Sequence, residues 1–159
     1  MTGGLVITVH QVSAPALMAD CMGVMTAAFD PVYGEAWTID QTASMLDLPG
    51  AFLVAGRVGD AMVGFGLVRS IAGESELLLL GVDPAARRRG FGQMILQRCI
   101  AVSVDTGADT MFLEVREGNE AIGLYRAAHF EQYNSRPDYY LGRDGQRRAA
   151  LSFKRRITS

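Results

Sequence analysis

The sequence predicts an α/β fold: one mixed sheet with helices on its faces, an antiparallel meander followed by a βαβαβ half. Three observations carry that expectation. The strand-like runs AFLVAGRV, AMVGFGLVRS and SELLLLGV follow one another across Gly59-Asp60 and a second turn near Gly73-Glu74, which is the pattern of sequential hairpins. At Gly90 the apolar period switches from two to helical spacing. Strand and helix then alternate towards the C-terminus, as expected where a crossover helix lies on a sheet. With 159 residues, no internal repeat and no low-complexity linker, the chain is expected to form a single domain, 1–159.

Leu5 to His10 alternates weakly and reads as a short first strand. Ala14 to Phe29 is rich in Ala, Leu and Met and free of internal proline, so it reads as a helix. DPVYGEAWT is a loop, after which Thr38 or Asp40 caps a short helix that reaches Leu48 and ends at Pro49-Gly50. The meander follows. Phe91, Met94, Ile95, Cys99 and Val102 fall at helical spacing and define a helix from Gly90 to about Asp105. TMFLEV is a strand with Met111, Leu113 and Val115 on one face and Thr110, Phe112 and Glu114 on the other. A shorter helix runs from about Glu120 to Ala128, and strands cover Phe130 to Tyr133 and Ala149 to Arg155.

Composition narrows the functional classes. Apolar residues make up 49% of the chain and charged residues 20%, the profile of a soluble globular protein. No apolar run approaches the roughly 18 residues of a membrane span, and MTGGLVITVHQ lacks the basic start and apolar stretch of a secretory leader. No membrane partner is expected. Cys21 and Cys99 stand far apart without a partner motif, so they read as buried thiols in a reducing cytoplasm. His10 and His129 are isolated, and no metal is expected. The net charge of −2 hides an asymmetry: residues 1–83 hold nine acids against two arginines, whereas residues 84–159 hold thirteen basic residues against eight acids. A basic half suits a polyanionic ligand and an acidic half steers a basic one. Arg147, Arg148 and the Lys154-Arg155-Arg156 run read as a solvated strand end, and no direct nucleic-acid binding is expected.

DPAARRRGFG, from Asp83 to Gly92, sets three arginines before a Gly-x-Gly at a strand-to-helix junction. Such a junction suits an anion, because free N–H groups at a helix start point towards it. A P-loop would need Gly-Lys-Ser/Thr where Gly92-Gln93-Met94 stands. A dinucleotide fingerprint would need glycine at Ile95 and a parallel unit upstream. The remaining motif, Arg/Gln-x-x-Gly-x-Gly/Ala, is the pyrophosphate loop of acetyl-coenzyme A enzymes, and Arg87-Arg88-Arg89-Gly90-Phe91-Gly92 matches it.

The meander, GVDPAARRRGFG, LEVREGNEAIGLY and AAHF together resemble the GNAT superfamily of N-acetyltransferases, over nearly the whole chain and most specifically from Leu77 to Phe130. Within it, Phe29 to Thr38, LEVR at 113–116 and RPDYYLGRDGQRRAA resemble the RimI type, which acetylates the N-terminal alanine of a small-subunit ribosomal protein. The resemblance implies a V-shaped split between strands four (around Leu78 to Val82) and five (Thr110 to Val115). It also implies acetyl-CoA as co-substrate, its pantetheine arm bonded to Leu80 and Val82 backbone and its diphosphate held by Arg87, Arg88, Arg89, Gly90, Phe91 and Gly92. Glu114 corresponds to the base, direct or through water, and Tyr125 to the general acid. Asn119 either bonds the pantetheine or caps the helix. Trp37, Tyr139 and Tyr140 shape a peptide groove, with a core role equally open for Trp37.

Two departures stand out. The family spaces its asparagine seven residues before the tyrosine, whereas Asn119 precedes Tyr125 by six. His129 stands where the family has glycine at the helix exit, a position that implies a left-handed backbone. The expected acceptor is a protein N-terminus followed by a basic residue, a ribosomal protein among the candidates. The rival acceptors are a lysine side chain or a small amine. A degenerate acetyl-CoA-binding partner protein without turnover is the reading from a different class.

Overall fold

The computed structural model describes residues 4–158. Its seven strands are β1 (Val6–His10), β2 (Ala51–Val58), β3 (Ala61–Ile71), β4 (Glu74–Val82), β5 (Thr110–Arg116), β6 (Glu131–Leu141) and β7 (Arg147–Arg156). Its helices are α1 (Pro15–Ala28), α2 (Ile39–Leu46), α3 (Phe91–Asp105) and α4 (Ala121–Ala127), with 3-10 turns at Pro31–Tyr33 and Pro84–Ala86. The strands form one sheet in the order β1-β2-β3-β4-β5-β7-β6. Only β4 and β5 run parallel.

Both faces of the meander are covered, which is why β2 reads as an unbroken apolar run rather than an alternating one. On one face α1 and α2 cover Leu53, Ala55, Phe65 and Leu67; on the other α3 and α4 cover Phe52, Val54, Val68 and Met111. α1 starts at Pro15, whose fixed φ suits a first helical turn, and buries Leu17, Met18, Cys21, Val24 and Met25 along one face. Thr38, rather than Asp40, caps α2, in a capping box with Gln41. α3 buries Phe91, Ile95, Leu96, Cys99, Ile100 and Ser103. Met94, placed on the apolar stripe by spacing, is exposed instead, and Leu96 and Ile100 fill that side. The helix lies close on the sheet because Gly66 offers no Cβ: one built there would stand 2.7 Å from Cys99 Sγ.

Two features open the sheet. β4 and β5 pair only from Glu74–Thr110 to Leu77–Leu113. At that point the β3–β4 register shifts, Val68 facing Leu77 and Leu67 facing Leu79, so Leu78 is an extra residue in β4. A bulge bends the strand that carries it, and β4 departs from β5 beyond Leu78. The expected V-shaped split is therefore present, built by one inserted residue.

The C-terminal hairpin corrects the sequence reading. The strand expected to stop at Tyr133 continues to Leu141, so Tyr139 and Tyr140 sit on β6, beyond the expected end of the strand. β6 is an edge strand paired only with β7, so Pro137 leaves no ladder partner unsatisfied on its outer side. Its register against β7 slips between Arg136 and Tyr140, where Asp138 adopts φ +55°.

Candidate active site

The split opens onto a cleft of about 1140 Å³. One wall is the unpaired stretch of β4, Leu78 to Val82; the facing wall is Leu113 to Arg116 of β5 with Tyr125 of α4. The Asp83 N–H donates to Val63 O, towards β3. Successive N–H groups leave opposite edges of a strand, so those of Val82 and Leu80 face the split. Two backbone donors thus line an edge that no strand of the sheet occupies.

At the base of this edge lies the arginine-rich junction. Arg87, Arg88, Gly90, Phe91 and Gly92 line the cleft, whereas Arg89 does not. The turn is tight: Arg88 has φ +68° and Gly90 φ +76°. Gly90 caps α3 with no side-chain bond to the first turn, so its leading N–H groups remain available to an anion. Arg87 donates to Glu120 at 2.9 Å and is partly screened by it. A Cβ at Gly92 would meet Leu124 and Val82 at 3.5 Å, which is ordinary contact. Space is therefore not what glycine supplies there. A negative side chain at 92 would act through its charge and length.

Tyr125 is buried, its ring edge-on to Phe130 at 6.1 Å, and it lines the cleft. Burial pushes its phenol well above the ordinary range, with Cys99 and then Glu35 adding to the shift. Tyr140 also lines the cleft; burial, then Glu114 and Glu35, push it up to about 12. Tyr139 packs edge-on to Tyr140 at 5.2 Å but is exposed and stands outside the cleft. Trp37 is at once part of the core on the α1 face and part of the cleft wall. For Asn119 the cap alternative has an observed partner: its Oδ1 accepts from Ala121 N at 2.8 Å at the start of α4. His129 takes the left-handed backbone, φ +67°, that its position implied.

Of the carboxylates that line this cleft, Glu35 and Glu114 stand by the β5 wall, and each is paired with an arginine. Glu35 pairs with Arg116 at 3.0 Å, with side chains only 16% and 8% exposed. Arg116 also donates to Glu117 O and stacks on Tyr33 at 3.6 Å, and Asn119 Nδ2 donates to Glu35 at 3.4 Å. Glu114 pairs with Arg136 of β6, with side chains 26% and 51% exposed. A buried pair resists separation because either partner alone would be an uncompensated charge. A half-exposed pair is worth little and opens readily. Of these two, Glu114 is the one free to exchange partners, and Glu35 is a fixture. Sequence reading missed Glu35, Arg116, Tyr33 and Arg136. The Arg116–Glu35 contact spans 81 positions of chain, and the only local signal was a charged residue ending a buried strand.

The family model described as Acetyltransferase (GNAT) family matches residues 19–130. The [Ribosomal protein bS18]-alanine N-acetyltransferase of Salmonella typhimurium is 34% identical over 93 residues, covering 58% of this chain and 63% of that protein. The match thus spans less than two thirds of that relative's length. In structure, the ribosomal-protein-S18-alanine N-acetyltransferase of Escherichia coli superposes with a TM-score of 0.83 at 24% identity, over 97% of this chain and 96% of that one. An aminoglycoside 6'-N-acetyltransferase complexed with coenzyme A gives 0.80 at 14% identity, over 97% and 98%. These two likenesses establish the fold.

Proposed function

The chain belongs to the acetyltransferase (GNAT) family, and from that premise we propose that it transfers an acetyl group from acetyl-CoA to an amine, most closely the N-terminal α-amine of a protein. The observation that carries the reading is the split between β4 and β5, with free backbone donors along one edge, a helix start without a side-chain cap at its base and Glu114 and Tyr125 on its far wall. The thioester supplies an activated acetyl group when bound. Leu80 and Val82 N–H groups hold the extended arm as a neighbouring strand would, and the Val82 N–H faces the developing oxyanion. Arg87, Arg88 and the α3 start, with Arg89 flanking, hold the diphosphate. The amine loses its proton to Glu114, and the Tyr125 O–H donates to the departing sulfur. An N–C bond forms and a C–S bond breaks. The entering ammonium gives up one proton before attack and a second after it, both through Glu114 to solvent, and the sulfur leaves as a thiolate held by the Tyr125 O–H.

A protein N-terminus suits this site better than lysine. An α-amine near pKa 8 gives up its proton more easily than a lysine near 10.4, which matches a carboxylate base. The Salmonella relative is named for such an acceptor, and the acids of residues 1–83 attract a basic tail. A ribosomal protein is the candidate partner.

Gly92→Glu is expected to abolish the thermal shift given by acetyl-CoA, which for wild type corresponds to about 2.7 kcal/mol at 100 times the dissociation constant. A melting curve that still rises with cofactor in this variant would remove the diphosphate assignment. The acceptor is tested by coenzyme A release with an Ala-Arg-Tyr peptide against its N-terminally blocked, lysine-bearing counterpart. Wild type is expected to acetylate the free N-terminus preferentially. Equal rates on both peptides would replace this acceptor by lysine or a small amine.

A further inference from the structure

We propose that Arg136 is a specificity-determining residue that competes, as an intramolecular cation, with the acceptor's ammonium for Glu114. The inference rests on the acetyl-transfer reading of the cleft and adds to it a residue that sets acceptor affinity. Arg136 Nη2 is bonded to Glu114 Oε2. An amine that is to pass its proton to this carboxylate arrives as an ammonium, because α-amines are mostly protonated at neutral pH. Two cations crowding one carboxylate repel each other, so the guanidinium must withdraw as the amine enters.

The structure gives Arg136 the means to withdraw. Its side chain is 51% exposed, so the released guanidinium is rehydrated rather than stranded. While bonded to Glu114 its Cζ also lies 4.3 Å from the centroid of the Tyr139 ring, a contact that does not depend on the carboxylate. The ladder is interrupted beside it, since the β6–β7 register slips directly after Arg136. Arg116, the partner of Glu35, is the contrast, with its side chain only 8% exposed. Arg116 is enclosed, bonded to Glu35 and to Glu117 O, and stacked on Tyr33. Nature of charge is the same in both pairs; only exposure and attachment differ, and they separate an exchangeable cation from a structural one. A cationic acceptor replaces Arg136 charge for charge, whereas a neutral nucleophile would leave Glu114 with nothing in exchange.

The test reads KM against kcat for the Ala-Arg-Tyr peptide at saturating acetyl-CoA. Arg136→Gln, which keeps much of the side chain and removes the charge, is expected to lower the peptide KM by about 2- to 5-fold, the range spanned by a half-exposed pair, with kcat changing less. Arg136→Lys restores a cation and is expected to bring KM back towards wild type. Arg147→Gln removes the same charge from β7 without touching Glu114 and is expected to leave KM unchanged. Guanidinium chloride at millimolar concentration is expected to inhibit Arg136→Gln competitively against peptide and more strongly than wild type, beyond a matched sodium chloride control. An unchanged or raised KM in an active, normally melting Arg136→Gln overturns the competition. So does an equal fall in Arg147→Gln, which would make the effect one of overall charge. Wild type that acetylates no amine at all while binding acetyl-CoA overturns the functional reading itself, and the competition with it.

Discussion

Replacing Tyr125 by phenylalanine is expected to lower turnover by roughly 10²- to 10³-fold, the usual contribution of one preorganised hydrogen-bond donor to developing charge, with acetyl-CoA affinity nearly unchanged. The substitution keeps the ring, its edge-on contact with Phe130 and its place in the core shared by α3 and α4, so folding should survive it. What disappears is one O–H at the cleft. The electrostatics say which kind of donor this is. Burial raises the phenol's pKa, and even unperturbed phenols, near 10, lie above thiols, near 8.5. Full transfer of the proton to a thiolate is therefore uphill. The hydroxyl stays protonated throughout the neutral range, and on the proposed acetyl-transfer reading it would stabilise the departing sulfur by a hydrogen bond that strengthens as charge develops. Because that bond matters mainly in the transition state, kcat and kcat/KM should fall together. Steady-state rates paired with a cofactor melting shift check this. Near-normal turnover would return Tyr125 to a packing role.

The meander, both long helices and the loop before α3 were legible in the sequence because local rules govern them. Gly59-Asp60 fixes a hairpin, and the switch in apolar period at Gly90 fixes a helix. The exposed Met94 shows where that rule blurs: at 3.6 residues per turn the stripe edge is decided by what the helix meets, here the groove above Gly66. The second half of β6 was illegible because Asn134 to Tyr140 is polar, contains Pro137 and lies on an edge exposed to solvent. It is held by β7 and not by its own pattern. Leu78 was illegible for the opposite reason. Four leucines in a row conceal an inserted residue, and only the partner strand reveals that one of them is extra.

The site divides in the same way. Arg87 to Gly92, Glu114 and Tyr125 belong to contiguous motifs, and all but Arg89 line the cleft, as their positions in those motifs led one to expect. The residues that give those motifs their electrostatic setting come from elsewhere in the chain. Glu35 lies between α1 and α2, and Arg136 lies on a strand expected to have ended. A motif states which groups react; the long-range ion pairs decide which carboxylate can change partners.

Removing Glu35 is expected to cost about 3–5 kcal/mol of stability, the usual penalty for leaving one member of a buried pair unpaired. For a chain of this size each kcal/mol is worth about 2–4 °C in Tm, so Glu35→Ala should melt on the order of 10 °C below wild type. The argument is geometric. Arg116 ends β5 with its side chain 8% exposed, and in the variant its guanidinium would keep only Glu117 O and the face of Tyr33. Tyr33 is also approached by Arg148, at 4.8 Å, and Arg143 N donates to Val32 O at 2.7 Å. The Glu35–Arg116 pair fastens the segment after α1 to β5, and the neighbouring Tyr33 and Val32 contacts tie the same segment to the β6–β7 turn. The comparison is Glu120→Ala, which breaks the exposed Arg87–Glu120 pair and should cost no more than about 1 kcal/mol. A double variant, Glu35→Leu with Arg116→Met, removes both charges and should recover much of the loss, because replacing a whole buried pair by apolar groups is far less costly than halving it. Thermal unfolding of the three variants decides the point. If Glu35→Ala melts no lower than Glu120→Ala, the pair is not the fastening, and the contrast between a fixed and an exchangeable carboxylate loses its physical basis.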